Sequence, residues 1–330
     1  MEADQTILMA DCFFAGVGYL STGRRTPNTE RLLPDFKLSA QTSELPSPIQ
    51  VLSPELVLVD WGPMTLTISV WRANQARPVI AVKAAVKALE ILTLLAENKN
   101  LLKIPSGKLI NDAHLPPIIR RAFEACRKVS EDLTGMAVVA GLAGDEIVRT
   151  ALRLGADQVI VNNGGDIALK VAEGRKVRVG LKNPSEETLS HVLEIHPDQK
   201  IGGVATSGWS GRSFSPGIAD AVTVWAADGA AADAAATWIA GQMILDSPKV
   251  VQVPASEMDP ETDVPHLSIT RDVATLTFDE KEKVLEIGLS VVEKLIEKEA
   301  IQGAFLSVQG VYRWMAHKEP IPKPVEGTIL

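Results

Sequence analysis

Asp233 and Thr237 stand four residues apart in Ala232-Asp233-Ala234-Ala235-Ala236-Thr237. A helix at that spacing stacks a carboxylate and a hydroxyl on one face. Both are hard oxygen donors, and magnesium suits so sparse a set because it keeps several waters and completes its shell from substrate phosphate. These two residues are the candidate metal ligands. The plainer reading is a closely packed helix with an aspartate near its N-terminus, where the dipole favours it. Upstream, Asn163-Gly164-Gly165-Asp166 follows a short apolar run. Paired glycines expose backbone N–H groups and admit a ligand to the main chain, while Asp166 can accept from a base, a ribose or a ring. The bland alternative is a tight turn. Between these segments, Thr206-Ser207-Gly208-Trp209-Ser210-Gly211-Arg212-Ser213 gathers hydroxyls, glycines and one arginine. That set makes a phosphate cradle, with Arg212 as a bidentate cation, or a polar surface loop. It is not a nucleophile elbow, because Gly208-Trp209-Ser210-Gly211-Arg212 lacks the final glycine. Nor does Asn163–Asp166 form the G-x-G-x-x-G dinucleotide fingerprint.

The elements needed to position these segments are legible in outline. Strands are expected at 57–59 and 65–71 around Gly62-Pro63, and Pro78 opens a helix to about residue 97. Pro116-Pro117 introduces a second helix to about 133, and a third runs from 137 to about 154 with small residues on one side. A strand at 158–162 leads into the Asn163–Asp166 turn. Residues 167–171 and 177–181 alternate around Glu173-Gly174 and read as a hairpin. Strands at 201–206, 221–226 and 250–253 and a helix at 229–244 follow. Further on, a strand is expected at 275–278 and an amphipathic helix, capped by Asp279, to about 299. This mixture implies an α+β fold, a mixed sheet flanked by helices. The expected division is an N-terminal strand and irregular arm at 1–54, a core at 55–253, and a C-terminal appendage at 254–330.

The 330 residues carry a formal net charge of −8, with 46% hydrophobic and 22% charged residues. That is the composition of a soluble globular protein, and it lacks the basic surface of a nucleic-acid binder. Cys12 and Cys126 are too few for a disulfide framework, and the five histidines form no zinc pattern. A reducing cytoplasm is the simplest setting. The apolar run 7–20 does not read as a lipoprotein signal: no Lys or Arg precedes it, and Asp11 sits directly before Cys12. No stretch is long and apolar enough to span a bilayer.

Taken in order, the three segments resemble the ApbE superfamily, the FAD:protein FMN transferases. That family carries an Asn-x-Gly-Gly-Asp turn, an Ala-Thr-Ser-Gly segment, and a strand leading into Ala-Asp-Ala-x-Ala-Thr. A UPF branch of it is similar to Gly211-Arg212-Ser213-Phe214-Ser215-Pro216-Gly217-Ile218-Ala219-Asp220-Ala221-Val222 and to Gly135–Gly141. The resemblance covers residues 55–253. It implies that Asp233 and Thr237 are metal ligands and that Asn163, Gly164, Gly165, Asp166, Thr206, Ser207 and Gly208 line an FAD site, to which the cradle reading adds Arg212 and Ser213 as cofactor-binding residues. Two departures stand out. The family's His-x-x-Asp-Pro-type segment finds Ser213–Gly217 here, without histidine. The branch's Glu-Thr-Asp-Leu run finds Pro63-Met64-Thr65-Leu66.

Three functions follow as expectations. One is an enzyme on this scaffold acting on a small metabolite or flavin nucleotide, with Asp166, Asp220 and Ser207 as candidate catalytic residues. The second is a magnesium-dependent FAD:protein FMN transferase. The third is a non-catalytic flavin- or nucleotide-binding protein, whose C-terminal amphipathic helix serves a homo-oligomer or packs on its own core. A shared scaffold does not choose among them.

Overall fold

The computed structural model describes residues 5–8, 48–109, 114–182, 190–211 and 214–325. Arg212 and Ser213, expected in the phosphate cradle, and most of the 1–54 arm lie outside the described residues. The chain forms β1 (Gln5–Leu8), β2 (Ile49–Ser53), β3 (Leu56–Trp61), β4 (Met64–Arg72), β5 (Gln75–Ala76), α1 (Pro78–Glu97), α2 (Lys99–Leu102), α3 (Pro117–Val129) and α4 (Val139–Arg153). It continues with β6 (Gln158–Asn163), β7 (Asp166–Lys170), β8 (Val177–Leu181), β9 (His191–Ile195), β10 (Gly203–Ser207), β11 (Ala221–Ala226) and α5 (Gly229–Gln242). It ends with β12 (Val250–Pro254), α6 (Ala255–Met258), β13 (Ser268–Val273), α7 (Phe278–Glu297), β14 (Gly303–Val308), β15 (Val311–Ala316) and β16 (Lys323–Pro324). The fold is α+β, as its mixed periodicities imply.

A large antiparallel sheet runs β15-β14-β11-β10-β7-β6-β4-β3-β2, with β5 attached to β4. Helices cover one face: α1 lies over β3 and β4, α4 over β6 and β7, α5 over β10 and β11, and α7 over β14 and β15. A smaller sheet, β1-β8-β9-β16, covers the other face. Alternation along the strands feeds both cores. In β11, Val222 and Val224 point to the helices while Trp225 points to the small sheet. In β14, Ala304 and Leu306 face the helices and Phe305 faces the small sheet. Both strands are buried throughout. They therefore read as near-continuous apolar runs rather than as half-exposed strands.

Several local expectations change for physical reasons. The expected hairpin of 167–171 with 177–181 does not form. β7 is paired on both edges, by β6 and β10, so the chain after Gly174 crosses to the small sheet, where β8 pairs with β1 and β9. α3 stops at Val129, because Ser130 is extended at φ −157°. The strand expected at 275–278 lies instead at Ser268–Val273. The cap of α7 is Thr277 rather than Asp279. The Glu280 amide donates to the Thr277 hydroxyl at 3.3 Å, and the Thr277 amide donates to the Glu280 carboxylate at 2.7 Å. This reciprocal pair satisfies two otherwise orphaned amides. The segment expected as an appendage supplies β14 and β15 to the large sheet.

Candidate functional site

The ends of β6, β7 and β10 meet the first turns of α4 and α5 beside a cavity of about 1560 Å³. Each contributing segment arrives there for a local reason. Asn163 and Asp166 are register partners, so Gly164 and Gly165 form a two-residue hairpin loop. Their φ angles, +63° and +114°, are ones that side chains resist and glycine accepts. The Asn162 side-chain oxygen accepts from the Gly165 amide at 3.1 Å, and the Asn163 amide nitrogen donates to the Ala140 carbonyl at 3.3 Å. The turn is thus tied to α4. Where β10 ends, a Cβ on Gly208 would stand 2.2 Å from the Asp220 carbonyl oxygen, so only glycine fits.

Asp233 and Thr237 enter from α5, and both line the cavity, as do Asn163, Gly164, Gly165, Asp166, Thr206, Ser207 and Gly208. Three segments separated by up to seventy residues are therefore brought to one space. The Asp233 carboxylate accepts from the Gly141 amide at 3.0 Å and also from the Ala140 amide. Burial raises its pKa well above the ordinary carboxylate range, and the nearby negative charge of Asp166 raises it further. The two amides pull in the opposite direction.

The hydroxyls divide by strand alternation. Thr206 and Thr223 are register partners on β10 and β11, and their hydroxyls bond each other at 2.8 Å. Ser207 points the other way. It is 7% exposed, its Oγ has no hydrogen-bond partner among the described residues, and it lines the cavity. A buried hydroxyl without a partner is costly unless a ligand or water satisfies it.

Asp220 is placed differently. It is not among the cavity-lining residues. Its carboxylate accepts from the Gln309 amide and, at 3.3 Å, from the Trp209 indole N–H. Burial raises its pKa, while the Gln309 and Trp209 donors and the Lys281 charge lower it. Its carboxylate binds the β14–β15 turn through the Gln309 amide.

The rest of the cavity is an apolar wall that includes Met64, Leu92, Leu133, Met136, Trp238 and Leu267. A strap is tied across it, with the Lys103 ammonium donating to the Glu261 carbonyl at 2.6 Å and the Thr134 hydroxyl to Asp263 at 2.5 Å. Met64 and Met136 fall in segments compared with the family's motifs, but no pattern marked Leu92, Leu133, Trp238 or Leu267, because apolar wall and apolar core have the same periodicity. Among the described residues no histidine lines the cavity, and no group of three acidic, histidine or cysteine side chains forms a metal cage. No helix among them is long and apolar enough to cross a membrane.

The profile of the family described as AbpE bacteria matches residues 50–314. A UPF0280 protein of Methanothrix thermoacetophila is 40% identical over 134 residues, which are 40% of this chain and 54% of that protein. A UPF0280 protein of Methanospirillum hungatei is 38% identical over 132 residues, 39% of this chain and 52% of that one. The chain spans about half the length of the curated relatives it matches. Among solved structures, the apo form of the Pseudomonas stutzeri flavinyl transferase ApbE is similar at a TM-score of 0.48 and 14% identity. The likeness covers 80% of this chain and 94% of that one.

Proposed function

The chain belongs to the family described as AbpE bacteria, and from that premise we propose that its cavity is a magnesium-assisted site for a phosphorylated flavin nucleotide on which the chain acts as an enzyme. The observation that carries this reading is the convergence of Asp166, Asp233 and Thr237 with the Gly164-Gly165 turn on one cavity, with Asp166 near enough to raise the Asp233 pKa. A buried carboxylate with a second acid beside it is favoured by a proton or a cation held between them. Asp233, Asp166 and the Thr237 hydroxyl are a hard-oxygen set, and such a set fits magnesium. A magnesium ion held there supplies charge neutralisation for phosphate oxygens.

The chain's own groups divide the remaining work. Gly164 and Gly165 let a ligand approach the main chain without a Cβ in the way. The Ser207 hydroxyl, without a partner among the described residues, donates to a phosphate oxygen. The apolar wall from Met64 to Trp238 takes the flat ring and excludes water. Asp166, at the open end of the turn, accepts a proton from an incoming hydroxyl.

Two finer readings remain within this one. FMN transfer to a client hydroxyl with release of AMP is the first. Retention of the nucleotide without turnover is the second, favoured by the lack of a histidine among the described residues that line the cavity. Titrating metal-stripped protein with FAD, with and without Mg²⁺, while following flavin fluorescence and AMP, separates them. Mg²⁺-dependent binding with AMP release supports transfer. Binding without AMP supports a holder or another flavin chemistry. Absence of binding overturns the flavin reading and directs the search to other small metabolites.

A further inference from the structure

α4 and α5 cross with their first turns in backbone contact. A Cβ on Gly141 would stand 2.2 Å from the Gly229 carbonyl oxygen, and a Cβ on Gly229 would stand 2.7 Å from that of Gly141. Each glycine is followed four residues later by an aspartate, Asp145 in α4 and Asp233 in α5. Each aspartate reaches across to the other helix. Asp233 accepts from the Ala140 and Gly141 amides of α4. Asp145 accepts from the Gly229 amide at 2.7 Å and the Ala230 amide at 3.0 Å of α5. The first-turn amides of a helix have no acceptor within their own helix, and here each helix supplies the acceptor for the other.

We propose that Asp145 is a positioning residue for Asp233, fixing α5 against α4 through this reciprocal cap and so setting where the Asp233 carboxylate stands in the cavity. Asp145 itself is 6% exposed and does not line that cavity. It borders a separate cleft of about 370 Å³ on the other side of the crossing, faced by Arg149, Asp228, Lys170 and Lys200. The composition of α5 explains why such a device is needed. Ala230, Ala231, Ala232, Ala234, Ala235 and Ala236 are all buried. A helix surface of methyl groups has shallow ridges, which resist sliding along the axis poorly. Directional hydrogen bonds at the Gly141–Gly229 contact supply the register that side-chain interdigitation does not. Asp228 instead caps the Ala231 amide within α5 itself at 2.8 Å, a bond internal to one helix.

The inference rests on the proposed site only for its consequence; its geometry can be tested with no ligand present. Amide hydrogen exchange by NMR is measured on the wild-type chain and on D145A, D145N, D228A and D233N. The Val179 amide in the small sheet serves as the reporter of global opening. In D145A, exchange at Gly141 should rise about tenfold beyond the change at Val179, the size of one lost cap. D145N retains one acceptor and should recover part of the protection, while D228A should move Gly141 no more than Val179 moves. Reciprocity requires that D233N accelerate exchange at Gly229. A Gly141 change in D145A equal to that at Val179, with no response of Gly229 in D233N, would overturn the proposal. If D145A fails to fold, D145N and D233N decide it alone. Loss of Mg²⁺-dependent FAD binding in D145A with normal binding in D228A is the functional counterpart. An absence of FAD binding by the wild type would defeat the flavin reading and leave the exchange result standing.

Discussion

Asp233 and Asp145 occupy matching places on two helices, yet only one of them faces a site. Each lies four residues after a glycine at the same crossing, accepts two amides from the other helix, and has its pKa raised chiefly by burial. The difference lies in what the surrounding strands deliver. The β6–β7 turn brings Asp166 toward Asp233, and β10 brings the Ser207 hydroxyl, unpartnered among the described residues. Around Asp145 the rim is mixed in charge: Asp228 raises its pKa and Arg149 lowers it, with Lys170 and Lys200 beside them. A buried carboxylate at a helix start is therefore first a structural device. It becomes a candidate ligand where a second acid and a roomy cavity join it.

The comparison breaks most visibly at Asp233. D233N should weaken Mg²⁺-dependent FAD binding by at least about 100-fold, beyond the range typical of residues that only orient ligands. Calorimetric titration checks this. Next, G141A places a methyl against the Gly229 carbonyl and should cost about 1–3 kcal/mol or more, read from urea denaturation. An unchanged midpoint would contradict the close crossing.

The pH dependence sharpens the contrast. Burial, with Asp228 next, raises the Asp145 pKa from 3.8 to about 7. Between those values the folded chain holds a proton that the unfolded chain has released. Stability from this group is therefore full below about pH 4 and is lost as pH rises toward 7. Melting temperatures across pH 4–8 should fall less steeply in D145N than in the wild type. The smallest effects separate the cavity from the supporting framework. S207A should weaken nucleotide binding by about three- to tenfold, one neutral hydrogen bond, while leaving the urea midpoint unchanged or higher. D220N should do the reverse, lowering the midpoint through the β14–β15 turn with nucleotide affinity preserved.

Much of the cavity's polar side was legible beforehand because its residues announce themselves locally. A glycine pair after a strand, a hydroxyl-rich strand end and a four-residue Asp–Thr spacing each carry a meaning that neighbours along the chain can define. Asp220 shows the limit. It lies in a motif of the same kind, but its direction depends on Gln309, eighty-nine residues away. Asp145 was missed for the complementary reason. An aspartate within an apolar helix gives no local sign of which amides it meets. The hairpin expected from β7 and β8 failed likewise, since alternation reveals that a strand exists and not which edges are already taken.

By itself the sequence determined the α+β class, the helix starting at Pro78, the Gly164-Gly165 turn and the family to which the chain belongs. Each of these rests on backbone preferences or spacings that act over a few residues. Only the tertiary structure decided that Asp166 and Asp233 share one space, that Ser207 faces it while Thr206 pairs with Thr223, and that Asp220 meets the Gln309 amide and Asp145 the first amides of α5. Those outcomes depend on long-range strand order and on a helix crossing at two glycines, and contacts between distant segments are fixed by packing rather than by local preference.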